Sequence, residues 1–183
     1  MRTIMAVLAA LLIVAGLAPA ASSTAVTIAA PPAVNDLKIV EVGTDAMGAD
    51  TFANRNREFV RFQNVSGHAV DVANVVVEDS WAHGKTVDGV AHTCNTYKIT
   101  DLPDNATTEI AHGEYVTVFN GVRWGGNYKS GSEYRLYANS DVDCGTAGQF
   151  FNNNNDVVYV ALGSAVLAST SWDWNGGYTV VKP

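Results

Sequence analysis

Cys94 and Cys144 are the only cysteines in this 183-residue chain, and they carry its most distinctive chemistry. In an oxidising compartment an even cysteine count reads as a disulfide. A Cys94–Cys144 bridge would close a loop of about 50 residues and restrict the unfolded chain by roughly 4 kcal/mol in the loop-entropy model. The competing chemistry is nucleophilic. His92 lies two residues from Cys94, on the same side of an extended chain, but catalytic cysteines ordinarily meet their histidine across a fold. His83, His92 and Cys94 also offer ligands for zinc. A structural zinc site takes four ligands in tightly spaced pairs, and His68 and His112 fall in separate turns, so loop histidines are the plainer reading.

Oxygen donors cluster in three places: Asp101, Asp104 and Asn105; Asp141 and Asp143; and Asn152 to Asp156. Calcium takes six to eight such ligands, which makes it the more serious metal candidate, although none of the three runs follows the EF-hand spacing. Asn and Asp also favour turns for local reasons. The tryptophans Trp81, Trp124, Trp172 and Trp174, with Tyr178, offer flat apolar faces on which a sugar ring can stack. Trp124 and Trp174 suit this best because both sit beside glycines, whereas Trp172 at a strand end suits the core. No Gly-x-Ser-x-Gly elbow and no His-Glu-x-x-His pair occurs. The glycine-rich run 125–131 lacks the Gly-Lys-Ser/Thr ending and the following helix of a phosphate loop. Two sequons, Asn64-Val65-Ser66 and Asn105-Ala106-Thr107, matter only in a glycosylating host, and Asn105, in a turn, is the better acceptor.

The elements that position these residues start after Ala20. Met1–Ala20 has the pattern of a signal peptide, with Arg2, an apolar run from Ile4 to Leu17 and the small-residue site Ala18-Pro19-Ala20. The run is too short to span a bilayer comfortably, so no stable membrane span is expected after cleavage. Ala21–Asn35, rich in Ala, Ser, Thr and Pro, reads as a flexible leader. About 150 residues remain, enough for one domain with a real core. With Arg2 removed, 10 basic residues stand against 18 acidic ones, a balance of −8. That argues against nonspecific binding to nucleic acid or anionic membrane, which needs a basic surface, and it suits a secreted, extracellular protein.

The mature chain reads as short strands separated by Gly and Asn turns, which predicts an all-β sandwich. Glu58–Asn64 is its central strand, with Val60 and Phe62 on one face and Phe59, Arg61 and Gln63 on the other. Asp36–Val42 is the first strand, with Leu37 and Ile39 facing one way and Val40 and Val42 the other. Val70–Val77 is expected to form a hairpin with the central strand, its change of phase at Ala73-Asn74 absorbed by a β-bulge. Trp81–Ala91 reads as a loop, Tyr97–Ile99 as a strand, Glu114–Asn120 as a strand with Val116 and Val118 inward, and Gly121–Ser132 as a long polar loop. Asp156–Leu162 and Ala165–Trp172 form a last hairpin about Gly163-Ser164, and Asp173–Pro183 is an edge extension.

Phe59-Val60-Arg61-Phe62-Gln63-Asn64-Val65-Ser66 resembles the opening of the lamin tail domain, the immunoglobulin-like β-sandwich of nuclear lamins, which also occurs in secreted bacterial proteins. The resemblance runs on through Ala69–Val72, Ile110–Val118 and Asn153–Val160 and closes at Ser169-Thr170-Ser171-Trp172, so it covers the span 36–172. It departs at Asn74-Val75, where the family usually has a Gly-Trp pair, and Trp81 or Trp172 must then fill that core. The resemblance implies a single immunoglobulin-like sandwich and a non-catalytic accessory or interaction unit. The leading expectation is therefore a structural or protein-interaction module with an extracellular partner. The second is a carbohydrate or cell-wall binder using Trp124 and Trp174. The third and weakest is a small hydrolase.

Overall fold

The computed structural model describes residues 28–44, 55–87, 95–138, 155–173 and 180–183. They form an all-β sandwich. The strand β2 (Phe59–Asn64) alternates half-buried and buried side chains along its length, as an amphipathic strand must. Val60 and Phe62 are fully buried, and Phe59, Arg61 and Gln63 point outward, as the sequence predicts. Strand β1 (Leu37–Gly43) pairs antiparallel with β2, with a register shift between Ile39 and Glu41. The extra residue at Val40 brings Leu37, Ile39 and Val42 all into the core, although strict alternation would put Val42 on the opposite face.

On its other side β2 pairs with β7 (Tyr115–Phe119), which buries Val116 and Val118. Beyond β7 lies β9 (Glu133–Tyr137), running parallel to it, and then β8 (Tyr128–Ser130). With β12 (Val180–Val181) beside β1, these complete a six-stranded sheet in the order β12-β1-β2-β7-β9-β8. The facing sheet has the order β11-β10-β4-β5, from β4 (Val76–Asp79), β5 (Thr96–Lys98), β10 (Asp156–Leu162) and β11 (Ala165–Trp172). Strands β10 and β11 form the expected hairpin about Gly163, which takes φ +59°. One hydrophobic core joins the two sheets, and Trp172 belongs to it while Trp81 is 45% exposed.

Three expectations are corrected. Val70–Val77 is not one bulged strand hairpinned to β2. It splits into β3 (Val70–Asp71), which pairs with β6 (Glu109–Ile110) in a separate two-stranded sheet, and β4 in the four-stranded sheet. Asn74, at φ +63°, turns the chain between them, and an asparagine tolerates that left-handed conformation. The stretch after β4 is not a loop at its start: Ser80–Val87 forms helix α1. Finally, the polar segment 121–132 contains β8. The end of the alanine-rich leader is bonded to the sandwich, since Asp71 N–H donates to the Ala30 carbonyl and Ala29 N–H to Glu109.

Candidate functional site

Two regions concentrate charged and aromatic side chains. The first is the outer face of the six-stranded sheet. Strand register sets Glu41, Arg61, Thr117, Arg135 and Tyr128 side by side across five strands. Glu133, which is 8% exposed, is the anchor of this row. It accepts from Thr117 Oγ1 at 2.5 Å and from Arg135 Nε at 2.8 Å, and it lies 3.6 Å from Arg61, whose other carboxylate neighbour is Glu41 at 3.6 Å. This pairing raises the Arg135 pKa above its ordinary value, chiefly through the hydrogen bond to Glu133. On the opposite, core-side face of the same edge, Lys129 is set against Tyr134 by register and held by Glu114 at 2.8 Å and by the Tyr134 hydroxyl at 2.7 Å, and the Glu114 bond is the larger cause of its raised pKa. Opposite charges across strands stabilise a sheet by a few tenths to about 1 kcal/mol per pair.

Beside this row runs an aromatic one. Phe59, Phe119 and Tyr137 are aligned by register, with ring centroids 5.7 Å and 5.1 Å apart. Tyr137 stacks on Tyr128 at 6.4 Å, and the guanidinium of Arg123 lies 3.8 Å over the Tyr128 ring. Burial among these rings, and next the neighbouring Tyr128, push the Tyr137 hydroxyl pKa up. The stack therefore ends at the 121–127 loop, where Gly125 and Gly126 take φ +93° and +72°. At the apex stands Trp124, 99% exposed. A side-chain-free backbone is needed at those two glycines because L-residues rarely adopt such a φ. Val122, Arg123, Gly126, Asn127 and Tyr137 line a recess of about 220 Å³ at the foot of the loop. Its floor is fixed: Asn127 Oδ1 accepts from Tyr137 N–H at 2.9 Å.

The second region is the end of the four-stranded sheet at α1. Asp79 is the helix N-cap: its Oδ1 accepts from Ala82 N–H at 2.7 Å, and its Oδ2 from Asn95 Nδ2 at 2.6 Å. Asp79 is fully buried, and burial pushes its pKa up to about 6 against the opposing pull of those bonds, with Asp156 adding to the rise. Asp156 accepts from Ser80 Oγ at 2.6 Å and from its neighbour Val157 N–H at 2.7 Å. Glu78, 1% exposed, holds His83 Nδ1 at 2.6 Å, and the imidazole stacks on Tyr159 at 4.1 Å. These acids fasten α1 to the sheet, and the capping role explains why a helix starts where the sequence suggests a loop.

The residues singled out from sequence scatter over this framework. Trp124 is described and exposed. Cys94, Cys144 and Trp174, together with His92, Asp141, Asp143 and 152–154, lie outside the described residues. His83 joins Glu78 rather than a metal set, and His112 accepts from Gly67 N–H at 3.1 Å. Asn105 closes a local turn, accepting from Thr107 N–H at 3.2 Å and donating to the Glu109 carbonyl at 2.9 Å. Among the described residues, no three His, Cys, Asp or Glu side chains are placed to hold a metal ion. Nor is any helix among them long and apolar enough to cross a membrane. Sequence reasoning missed Phe59, Phe119, Tyr128, Tyr137 and Arg123 as a group. The alternation in Glu133-Tyr134-Arg135-Leu136-Tyr137 was the available signal for β9, but only strand register aligns these rings. No protein-family model and no curated protein sequence matches the chain.

Proposed function

We propose that this chain is a non-catalytic extracellular binding module, and that it engages its ligand with the 121–127 loop and the aromatic–arginine face beneath it. The observation that carries this reading is Trp124. It is an indole 99% exposed in a loop whose Arg123 lies over Tyr128, at the end of a row of four aromatic rings, and so offers an apolar face open to a ligand. Aromatic side chains also bring much contact area at a low entropy cost, since few torsions must be fixed. The sequence features of a signal peptide support the extracellular setting, and the lamin tail resemblance supports an accessory rather than a catalytic role.

Of the ligand classes open to such a surface, a cell-wall polysaccharide fits best. The recess beside Trp124 is smaller than the roughly 300–1,000 Å³ of drug-sized ligand sites, so it takes one ring or branch of a polymer lying across the face. A second reading, docking of a protein by strand addition, is favoured by β11. It is an eight-residue edge strand without a single charged residue or proline, the features that ordinarily block such pairing.

The deciding experiment is co-sedimentation of the secreted protein with insoluble cell-wall polysaccharide, run beside a pull-down of extracellular proteins. Retention on the polysaccharide is the expected result. Capture of one stoichiometric protein partner, with no polysaccharide retention, would transfer the assignment to the edge strand.

A further inference from the structure

We infer that the polysaccharide bound at the 121–127 loop is acidic, carrying uronate carboxylates, and that Arg123 is the residue that recognises them. The inference rests on the binding-module reading above and adds to it the chemistry of the ligand.

The argument is one of charge accounting across the outer face. Arg61 lies between Glu41 and Glu133, and Arg135 is bonded to Glu133. Among the described residues Lys38, opposite Gln63 on this face, and Arg123 have no carboxylate partner, and of the two it is Arg123 that lies over an aromatic ring, its guanidinium carbon 3.8 Å from the Tyr128 ring centre. The Arg123 guanidinium is planar and carries its N–H donors in a fixed fork. That planar fork matches a carboxylate with two parallel hydrogen bonds. Stacking on a ring that is itself stacked on Tyr137 also removes much of the side chain's freedom before any ligand arrives, which lowers the entropy cost of binding.

The neighbours of Arg123 complete a sugar-acid site. Trp124 offers a flat apolar face to the ring, and Arg123 itself lines the recess with Asn127 and Tyr137. A carboxylate on the ring seated beside the indole would meet the fork within the same loop. Cβ positions at Gly125 and Gly126 would meet nothing within 4 Å, so the turn leaves open space for a polymer to approach. The net charge of −7 opposes a polyanion at long range. At 0.15 M salt that repulsion is screened beyond about 8 Å, and recognition falls to contact.

Affinity electrophoresis of the full protein at 0.15 M salt tests this with polygalacturonate, alginate and hyaluronate, each beside its carboxyl-reduced, neutral form. Retardation by at least one acidic polymer is expected, about ten- to a hundredfold stronger than by its reduced form, the range of one charge-assisted recognition. In R123Q the acidic polymer and its reduced form should bind alike, with an unchanged unfolding curve. Equal binding of acidic and reduced polymers would overturn the carboxylate inference while the polysaccharide reading stands. An acid preference that survives R123Q would overturn the assignment to Arg123. Absence of binding to any of the six would overturn the inference, and co-sedimentation on crude wall material then decides separately whether the broader reading survives.

Discussion

The outer face of the six-stranded sheet and the α1 end of the four-stranded sheet contain the same kinds of side chain and use them in opposite ways. At α1 the acids Glu78, Asp79 and Asp156 are buried to 2% exposure or less, and each holds a named neighbour in the local fold. On the outer face the charges lie in cross-strand rows, and beyond them stand an arginine with no carboxylate partner among the described residues and a tryptophan that is 99% exposed. The contrast separates polar groups that fasten an element from polar groups that pair with one another across an open face. Burial alone would have pointed to the acids. Following each group to its partners points to the loop.

Changes to the shared core should abolish the contrast altogether. Phe62, fully buried at the centre of the large sheet, touches what both regions rest on. Phe62→Ala is expected to cost about 3–5 kcal/mol, measured by urea unfolding, with both regions lost in one transition. Glu133→Ala should separate them. It removes the common partner of Arg135 and Thr117 and the neighbour of Arg61. A loss of roughly 2–3 kcal/mol is expected, below the 3–5 typical of a fully buried pair because the arginines reach solvent. Faster amide exchange should be confined to β2, β7 and β9, with α1 unaffected.

How much of this was legible beforehand depended on locality. Strands β2, β7, β10 and β11 announce themselves because their apolar residues alternate and their turns are marked by Gly or Asn. The bulge at Val40 was hidden because an inserted residue shifts phase without leaving a composition signal. Helix α1 was hidden for a different reason: Gly84, Thr86 and Val87 are poor helix formers, and the cap at Asp79 and the bond from Ser80 to Asp156, 76 residues on, settle the matter. Strand β9 pairs in parallel with a strand reached through an intervening turn and β8, and such pairing cannot be read from either segment. Trp124 was identified from its glycine neighbours alone, but the row of rings on which its neighbour Arg123 rests exists only once four strands are in register.

Smaller effects sharpen the comparison. Burial pushes the Asp79 carboxyl up from its ordinary value of about 3.8 to about 6. Between those values the folded protein binds the proton more tightly than the unfolded chain, so this residue lowers stability as pH rises from about 3.8 to 6, and the effect is flat above that. Asp79→Asn keeps a capping oxygen and removes the titration. With allowance for solvent screening, the variant is expected to gain about 1–2 kcal/mol on the wild type across that window, read from unfolding midpoints at pH 4 and pH 7. No matching pH step is expected from the loop. Trp124→Ala should be the least disruptive of all, within about 0.5 kcal/mol of wild-type stability, as for surface positions generally.

The claim that the outer-face loop, and not the α1 cluster, meets the ligand is tested most directly by paired variants in one binding assay. Wild type, Trp124→Ala and His83→Ala are compared for retention on insoluble cell-wall polysaccharide, with folding of each checked by circular dichroism. Retention by wild type and His83→Ala, with loss in Trp124→Ala, is the expected result. Retention that survives Trp124→Ala and fails in a folded His83→Ala would contradict the account.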